Sequence, residues 1–291
     1  MKMKNARSIS ASTKFCAVIG NPVAHSLSPA IHNAAFTHLD LDYVYLACPV
    51  EDVKNALSGM RAIANFRGMS VTIPHKIEAM KYVDEIAEVD RSIGSINTVI
   101  NEQGRLIGFG TDGPGALKAL VDAGVDISGK NVLMLGSGGA ARAISFTLAR
   151  NTRLRELAIL DVNGAMLKQL TTDLKTGTDA LITSEVLTEN SLAQAMEKAE
   201  VIIHCTPVGM HPREDASLVP AELFWPGQVV FDIVYTPLET KLIAGARSRG
   251  LKTIYGVDMF INQAVLQFER FTGVEAPVEV MRRVVMEQLG S

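Results

Sequence analysis

Several features are scarce in this chain, and each scarcity excludes something. No apolar run approaches the ~20 residues of a membrane span, so no spanning helix is expected. Basic charge has no surplus: 28 Lys and Arg against 31 Asp and Glu leave −3. That balance argues against nucleic acid or an anionic membrane as the main partner. Cysteine occurs three times, as Cys16, Cys48 and Cys205, in apolar strand-like runs without metal-ligand spacing. These read as buried thiols in a reducing cytoplasm. His25, His32 and His75 likewise lack metal spacing; they read as surface groups or supports of a site, and no metal is expected. There is no internal repeat and no low-complexity segment. The polar start, with Lys2, Lys4 and Arg7 before Lys14, carries no signal-peptide pattern and reads as a frayed leader. What remains is an ordinary globular composition, 47% hydrophobic and 20% charged, and 291 residues give room for two domains.

The most informative stretch is Asn131-Val132-Leu133-Met134-Leu135-Gly136-Ser137-Gly138-Gly139-Ala140-Ala141. Apolar residues end at glycines, and a helical pattern (Ala141, Ile144, Ser145, Leu148) follows at once. The spacing is G-x-G-x-x-A. The first glycine permits a tight turn, the second lets backbone approach a pyrophosphate, and a small third residue lets helix and strand pack closely. Such a motif is weak alone. Here Leu157 to Leu160 reads as the next strand and ends in Asp161, about 25 residues past the first glycine, where a carboxylate can accept hydrogen bonds from ribose hydroxyls.

Read from the start, Phe15 to Ile19 is a buried strand broken by Gly20-Asn21-Pro22. Ser28 and Pro29 are expected at the N-cap and first position of a helix with Ile31, Ala34, Ala35 and Leu39 on its apolar face. Tyr43 to Cys48 and Met69 to Ile73 read as strands, with a helix over Val53 to Ala64 between them. Another helix is expected from about Ile77 to Ile86, then a hairpin of Ile96 to Ile100 and Leu106 to Phe109. Asp112-Gly113-Pro114 opens a helix ending at Gly124, a natural hinge. Strands near 132–135, 157–160, 201–204, 229–233 and 252–254 then alternate with helices, the pattern of a doubly wound parallel sheet. Two helices between Met259 and Leu289 are surplus to that sheet and can return to the first domain.

Ser26, Ser28, Thr72, Lys76, Asn97, Thr111 and Asp112 collect at strand ends and helix starts, where ligands sit in α/β sheets. Two serines ahead of a helix suit a small carboxylate, although Ser28 alone is explained by capping. A lysine and a carboxylate converging on a hydroxyl form a general acid/base pair, yet Asp112 also fits an N-cap.

Taken together these runs are ordered and specific. They are Gly20-Asn21-Pro22 with His25-Ser26-Leu27-Ser28-Pro29 and His32-Asn33; Val71-Thr72-Ile73-Pro74 with Lys76; Ile96-Asn97-Thr98; Thr111-Asp112-Gly113; the glycine turn Gly136 to Ala140; Thr206-Pro207-Val208-Gly209-Met210; and Gln263-Ala264. Along nearly its whole length the chain resembles the shikimate/quinate dehydrogenase family. The resemblance implies an N-terminal α/β substrate domain (1–113 with 258–291), a Rossmann domain (114–257), and hydride transfer between a ring hydroxyl and a nicotinamide. It implies Lys76 and Asp112 as the acid/base pair and Ser26 and Ser28 on the substrate carboxylate. Thr72, Asn97 and Gln263 would hold ring hydroxyls, with Tyr235 near the carboxylate. The cofactor would lie against Gly136, Ser137, Gly138, Gly139, Ala140, Asp161, Thr206, Pro207, Val208, Met210 and Gly256. The partner implied is a hydroxylated ring carboxylate, and a homodimer is the assembly considered.

The chain departs from the family pattern in places. Ser70 and Gly110 stand where asparagines are usual, and Asp258 where a second glycine is common. Loss of the two amides implies altered ring selectivity, which asparagine at both positions should sharpen toward shikimate. Members that use NADP resemble one another in an Asn-Arg-Thr run where this chain has Asp161-Val162-Asn163, so NAD is expected over NADP. Two other readings compete: a dinucleotide-sensing regulator of the same fold, and a methylene-tetrahydrofolate dehydrogenase-like enzyme. The second would need a Tyr-x-x-x-Lys element, and no Tyr here has Lys four residues on.

Overall fold

A computed structural model describes residues 9–290, so Lys2, Lys4, Arg7 and most of the expected leader lie outside the described residues. The chain forms two compact units. Of the described residues, 9–87, 96–109 and 267–288 form one, and 88–95, 110–266 and 289–290 the other. Among the described residues no helix is long and apolar enough to cross a membrane.

The first unit is built on a six-stranded sheet. Its strands are β1 (Lys14–Gly20), β2 (Tyr43–Pro49), β3 (Phe66–Val71), β4 (Glu85–Ile86), β5 (Thr98–Glu102) and β6 (Arg105–Phe109), in the order β2-β1-β3-β5-β6-β4. β1 pairs in parallel with β2 and β3, while β5 is antiparallel to β3 and β6. Alternate residues of a strand face opposite sides. Ala17, Ile19, Met69, Val71 and Val99 face one side and pack on Val53 and Leu57 of α2 (Val53–Arg61). Elsewhere in the unit α1 (Ser28–His38) packs on the C-terminal helix Val278–Gln288. There the His32 ring is stacked on Tyr45 at 4.4 Å, with Phe36, Phe268 and Phe271 around it.

Three expectations for this region are corrected. The helix expected over 77–86 is a 3-10 turn (Glu78–Tyr82), the short strand β4, and then α3 (Glu88–Ile93). Asp84 stops the helix, because its backbone and carboxylate both bond the main chain of Leu106 and draw the segment onto the sheet. Ser28 is not the N-cap of α1. Leu27 occupies that position, and Ser26 Oγ accepts from the Ser28 amide. His32 and His75 are buried, so of the two alternatives for them the surface one falls and that of supporting groups stands.

The second unit is a parallel sheet of β7 (Asn131–Leu135), β8 (Glu156–Asp161), β9 (Ile182–Val186), β10 (Val201–His204), β11 (Val229–Asp232) and β12 (Lys252–Ile254). Its order, β12-β11-β10-β7-β8-β9, is the 3-2-1-4-5-6 arrangement of dinucleotide-binding sheets read from the other edge. Val132 and Met134 face α5 (Gly139–Asn151) and α6 (Gly164–Gly177), whereas Leu133 and Leu135 face α7 (Glu189–Lys198) and α8 (Lys241–Ser248). Burial on both faces explains the continuous apolar runs. β9 escapes the pattern because it is an edge strand with only Ile182 buried.

Helix α4 (Asp112–Asp122) belongs to this unit, since Ala116, Ala119 and Leu120 bury against its core. Gly124 adopts φ +65 as the residue closing α4, inside the unit rather than at a hinge. Residues 88–95 are held by Arg142, which donates to the Ile93 carbonyl and pairs with Asp173. The division expected at 113/114 and 257/258 therefore differs from the observed one. It falls after Phe109, and again inside the continuous helix α9 (Gly256–Thr272), which precedes α10 (Val278–Gln288).

Candidate active site

In the first unit the predicted residues gather on one edge of the sheet. Ser26 and Ser28 follow the carboxyl end of β1, Thr72 and Lys76 follow β3, and Asn97 precedes the antiparallel β5. The edge is tied together through backbone. Thr72 N–H donates to the Ile19 carbonyl, Val71 N–H to Asn97, and Ile96 N–H to Lys76. His75, beside Lys76, bonds the Val50 carbonyl at 2.7 Å. Gly20 is required here because a Cβ would overlap the Thr72 methyl group. Ser28 and Asn97 are buried, at 5% and 3% exposure, and Ser26 is half-buried.

Ser70 does not sit as a shortened substitute for a ligand-binding amide. It accepts from the Tyr45 hydroxyl at 2.6 Å and donates to Gln267 Oε1 at 2.7 Å. Sequence reasoning missed Tyr45 and Gln267. The signal available for Gln267 was its position one helical turn beyond Gln263.

In the second unit Asp112 is the first residue of α4 and is buried. The cap position falls to Thr111, without a side-chain capping bond, so the N-cap explanation of Asp112 does not hold. A helix start stabilises a carboxylate electrostatically. Gln263, on α9, donates to the Phe260 carbonyl at 2.9 Å and accepts from Thr111 Oγ1 at 3.4 Å. Gly115 admits this approach, since a Cβ there would stand 2.9 Å from the Gln263 nitrogen. Tyr235 stacks on Phe260 at 4.6 Å, and burial pushes its phenol up to about 12. Gly110 is not vacant space awaiting an amide. A Cβ there would lie 2.6 Å from Asp90 Oδ1, so the buried Asp90 carboxylate occupies that position, and the expectation for asparagine at 110 is corrected.

The remaining residues stand at the carboxyl edge of the parallel sheet, beside the β7/β10 point where strand order reverses. Gly136 has φ +109, and a Cβ would meet the Cys205 carbonyl at 2.8 Å. Gly138 precedes α5 with ordinary φ, and a Cβ there would meet nothing within 4 Å. Room for backbone to be approached, beside the unpaired N–H groups of a helix start at Gly139 and Ala140, fits a pyrophosphate. Asp161 Oδ2 accepts from the amide and hydroxyl of Ser137 at 2.6 and 2.7 Å, and Oδ1 accepts from the Asn163 amide. The cap of α6 is Asn163, not Asp161. Gly256 opens α9 where a Cβ would overlap the Ile233 and Val234 backbone.

The loop Thr206 to Met210 is anchored by a pair that sequence reasoning also missed. His204 Nδ1 bonds Asp232 at 2.8 Å and its Nε2 bonds Thr206 Oγ1 at 2.6 Å; the Val208 amide donates to the same Oγ1. Pro207 supplies the carbonyl that accepts from the Met210 amide.

This geometry has known counterparts. The model of the shikimate dehydrogenase substrate binding domain matches residues 18–99, and that of the shikimate 5'-dehydrogenase C-terminal domain matches 256–286. A shikimate dehydrogenase (NADP(+)) of Moorella thermoacetica is 42% identical over 286 residues, covering 97% of this chain and 96% of its own. The chain belongs to the shikimate/quinate dehydrogenase family. Among solved members of that family, a shikimate dehydrogenase in complex with NADP+ superposes with TM-score 0.88 at 36% identity, covering 99% of both chains. Shikimate 5-dehydrogenase from Listeria monocytogenes, in complex with shikimate and NAD, gives 0.88 at 34% identity over 96% of this chain and 99% of that one.

Proposed function

We propose that this chain catalyses reversible oxidation of a ring hydroxyl in shikimate, quinate or a closely related hydroxylated ring carboxylate, with NAD preferred. Its family makes it an oxidoreductase of CH–OH groups that uses a nicotinamide dinucleotide. The observation that carries the substrate reading is the gathering of Ser26, Ser28, Thr72, Lys76 and Asn97 on one sheet edge. The serines bind the carboxylate, while Thr72, Asn97 and Gln263 hold ring hydroxyls. Tyr235 stays protonated and donates toward the carboxylate. Lys76 takes the hydroxyl proton in oxidation and returns it in reduction, paired with Asp112. The dinucleotide, when bound, supplies the hydride acceptor. Gly136 to Ala140, the Thr206 to Met210 loop and Gly256 form its cradle.

The cofactor preference rests on Asp161. Its carboxylate is fixed by Ser137 and Asn163, and the next residue is the exposed Val162 rather than a guanidinium. Arg153 and Arg155 lie before β8, at the opposite end of that strand. A 2′-phosphate brings about two negative charges. Like charges in one interface cost several kcal/mol, and ~1.4 kcal/mol is tenfold in affinity. The relatives named for NADP(+) make this a sharp test, because the carboxylate predicts at least a roughly tenfold preference for NAD. Purified protein is assayed for reduced cofactor with a panel of hydroxylated ring acids and both dinucleotides. Turnover of shikimate or quinate with NAD favoured in kcat/KM is the expected result. Dinucleotide binding without turnover of any ring acid would identify a sensor instead, and equal kcat/KM for both cofactors would refute the Asp161 argument.

A further inference from the structure

We infer that Gln267 is a positioning residue that sets the hydrogen-bonding polarity of the ring-binding edge through a one-directional relay ending at Asn97. The relay is buried throughout. Tyr45, Ser70, Asn97, Thr98 and Gln267 are each at most 5% exposed. Its direction is fixed at Gln267. The amide nitrogen lies 3.2 Å from the Asn97 carbonyl, which only a donor can satisfy, and 3.1 Å from Thr98 Oγ1. The amide oxygen is thereby turned to Ser70, which must donate its single hydroxyl proton to it at 2.7 Å. Ser70 in turn accepts from the Tyr45 hydroxyl at 2.6 Å. On the other branch, Thr98 accepts from Gln267 and so spends its own proton on Asn97 Oδ1 at 3.0 Å.

Two consequences follow for substrate. Thr98 donates to the Asn97 amide oxygen, which fixes the orientation of that amide with its N–H₂ on the side away from Thr98. Ser70 has no proton left for a ligand, which makes it part of the support rather than a contact. A turned Gln267 would set two oxygens against each other at Asn97, so the polarity is enforced by geometry.

This inference rests on Asn97 holding a ring hydroxyl, as proposed above. Its test is a double-mutant cycle of Gln267→Met with Asn97→Ala, read as kcat/KM for shikimate, KM for NAD and the melting temperature. Met preserves volume and removes all three bonds of the Gln267 amide. The expected result is a loss of about tenfold in kcat/KM from Gln267→Met, the size of one net hydrogen bond. KM for NAD stays unchanged, and the double variant is no worse than Asn97→Ala alone. Thr98→Val cuts the same link at a second point and replaces Gln267→Met in the cycle if that variant fails to fold. Unchanged kcat/KM, or losses that multiply in the double variant, would overturn the relay while leaving the role of Asn97 intact. An Asn97→Ala variant with full activity would remove both.

Discussion

At the scale of single residues, the proposal to test first is Lys76 and Asp112 as the acid/base pair. A general acid/base contributes about 10²–10⁴ in rate, so Lys76→Ala should lose that much kcat while keeping its melting temperature. Asp112→Asn should damage the same step, and the double variant should be little worse than Lys76→Ala, because residues acting as one unit are not additive. Steady-state kinetics decide it, and near-normal turnover in Lys76→Ala would end the assignment. A second prediction concerns His32. Both ring nitrogens are buried without a hydrogen-bond partner, and burial pushes the ring down to about 3 from 6.5. The unfolded chain therefore takes up a proton below pH 6.5 that the folded one refuses. Stability is full above that value and falls as pH drops toward 3, by up to ~1.4 kcal/mol per unit. His32→Phe should flatten this slope among Tyr45, Phe36, Phe268 and Phe271. Urea titrations at pH 7 and pH 5 should differ by about 2 kcal/mol less in the variant.

At the scale of elements, two glycines at the starts of helices separate packing from binding. Gly256 opens α9 against the backbone after β11 and has no room for a methyl group. Gly256→Ala should cost ~1–3 kcal/mol or more through overpacking, visible as a lowered melting temperature. Gly138 precedes α5 with open space where a Cβ would stand. Gly138→Ala should change stability by less than about 1 kcal/mol, the scale of an N-cap effect. It should nevertheless raise KM for the dinucleotide, since the methyl group enters the space the pyrophosphate needs. An unaltered cofactor KM would show that the cradle lies elsewhere.

At the scale of the whole molecule, cofactor choice can be read without catalysis. A ligand that binds only the folded state stabilises it by about 2.7 kcal/mol at 100 times its Kd. At equal concentrations NAD should raise the melting temperature more than NADP. Replacing Asp161 with Asn and Val162 with Arg should reverse the order. A larger shift with NADP in the unaltered protein would contradict the charge argument at Asp161.

The local pattern was enough for much of this molecule. Runs buried on both faces announced β7, β8, β10 and β11, and glycines with a following helical period announced the dinucleotide turn. These features are written in neighbouring residues, so periodicity and turn chemistry reach them. The edge strand β9 has a single buried residue and leaves no such trace. The stop before β4 depends on Asp84 meeting Leu106, 22 residues away, which no local pattern contains. Ser70 and Gly110 read from sequence as missing amides. Only tertiary packing revealed that Tyr45 and Gln267 engage the one and Asp90 fills the place of the other. A side chain's type is fixed by sequence, but its hydrogen-bond partners are chosen by what the fold brings within 3 Å of it, and at this site those partners decide what a ligand can meet.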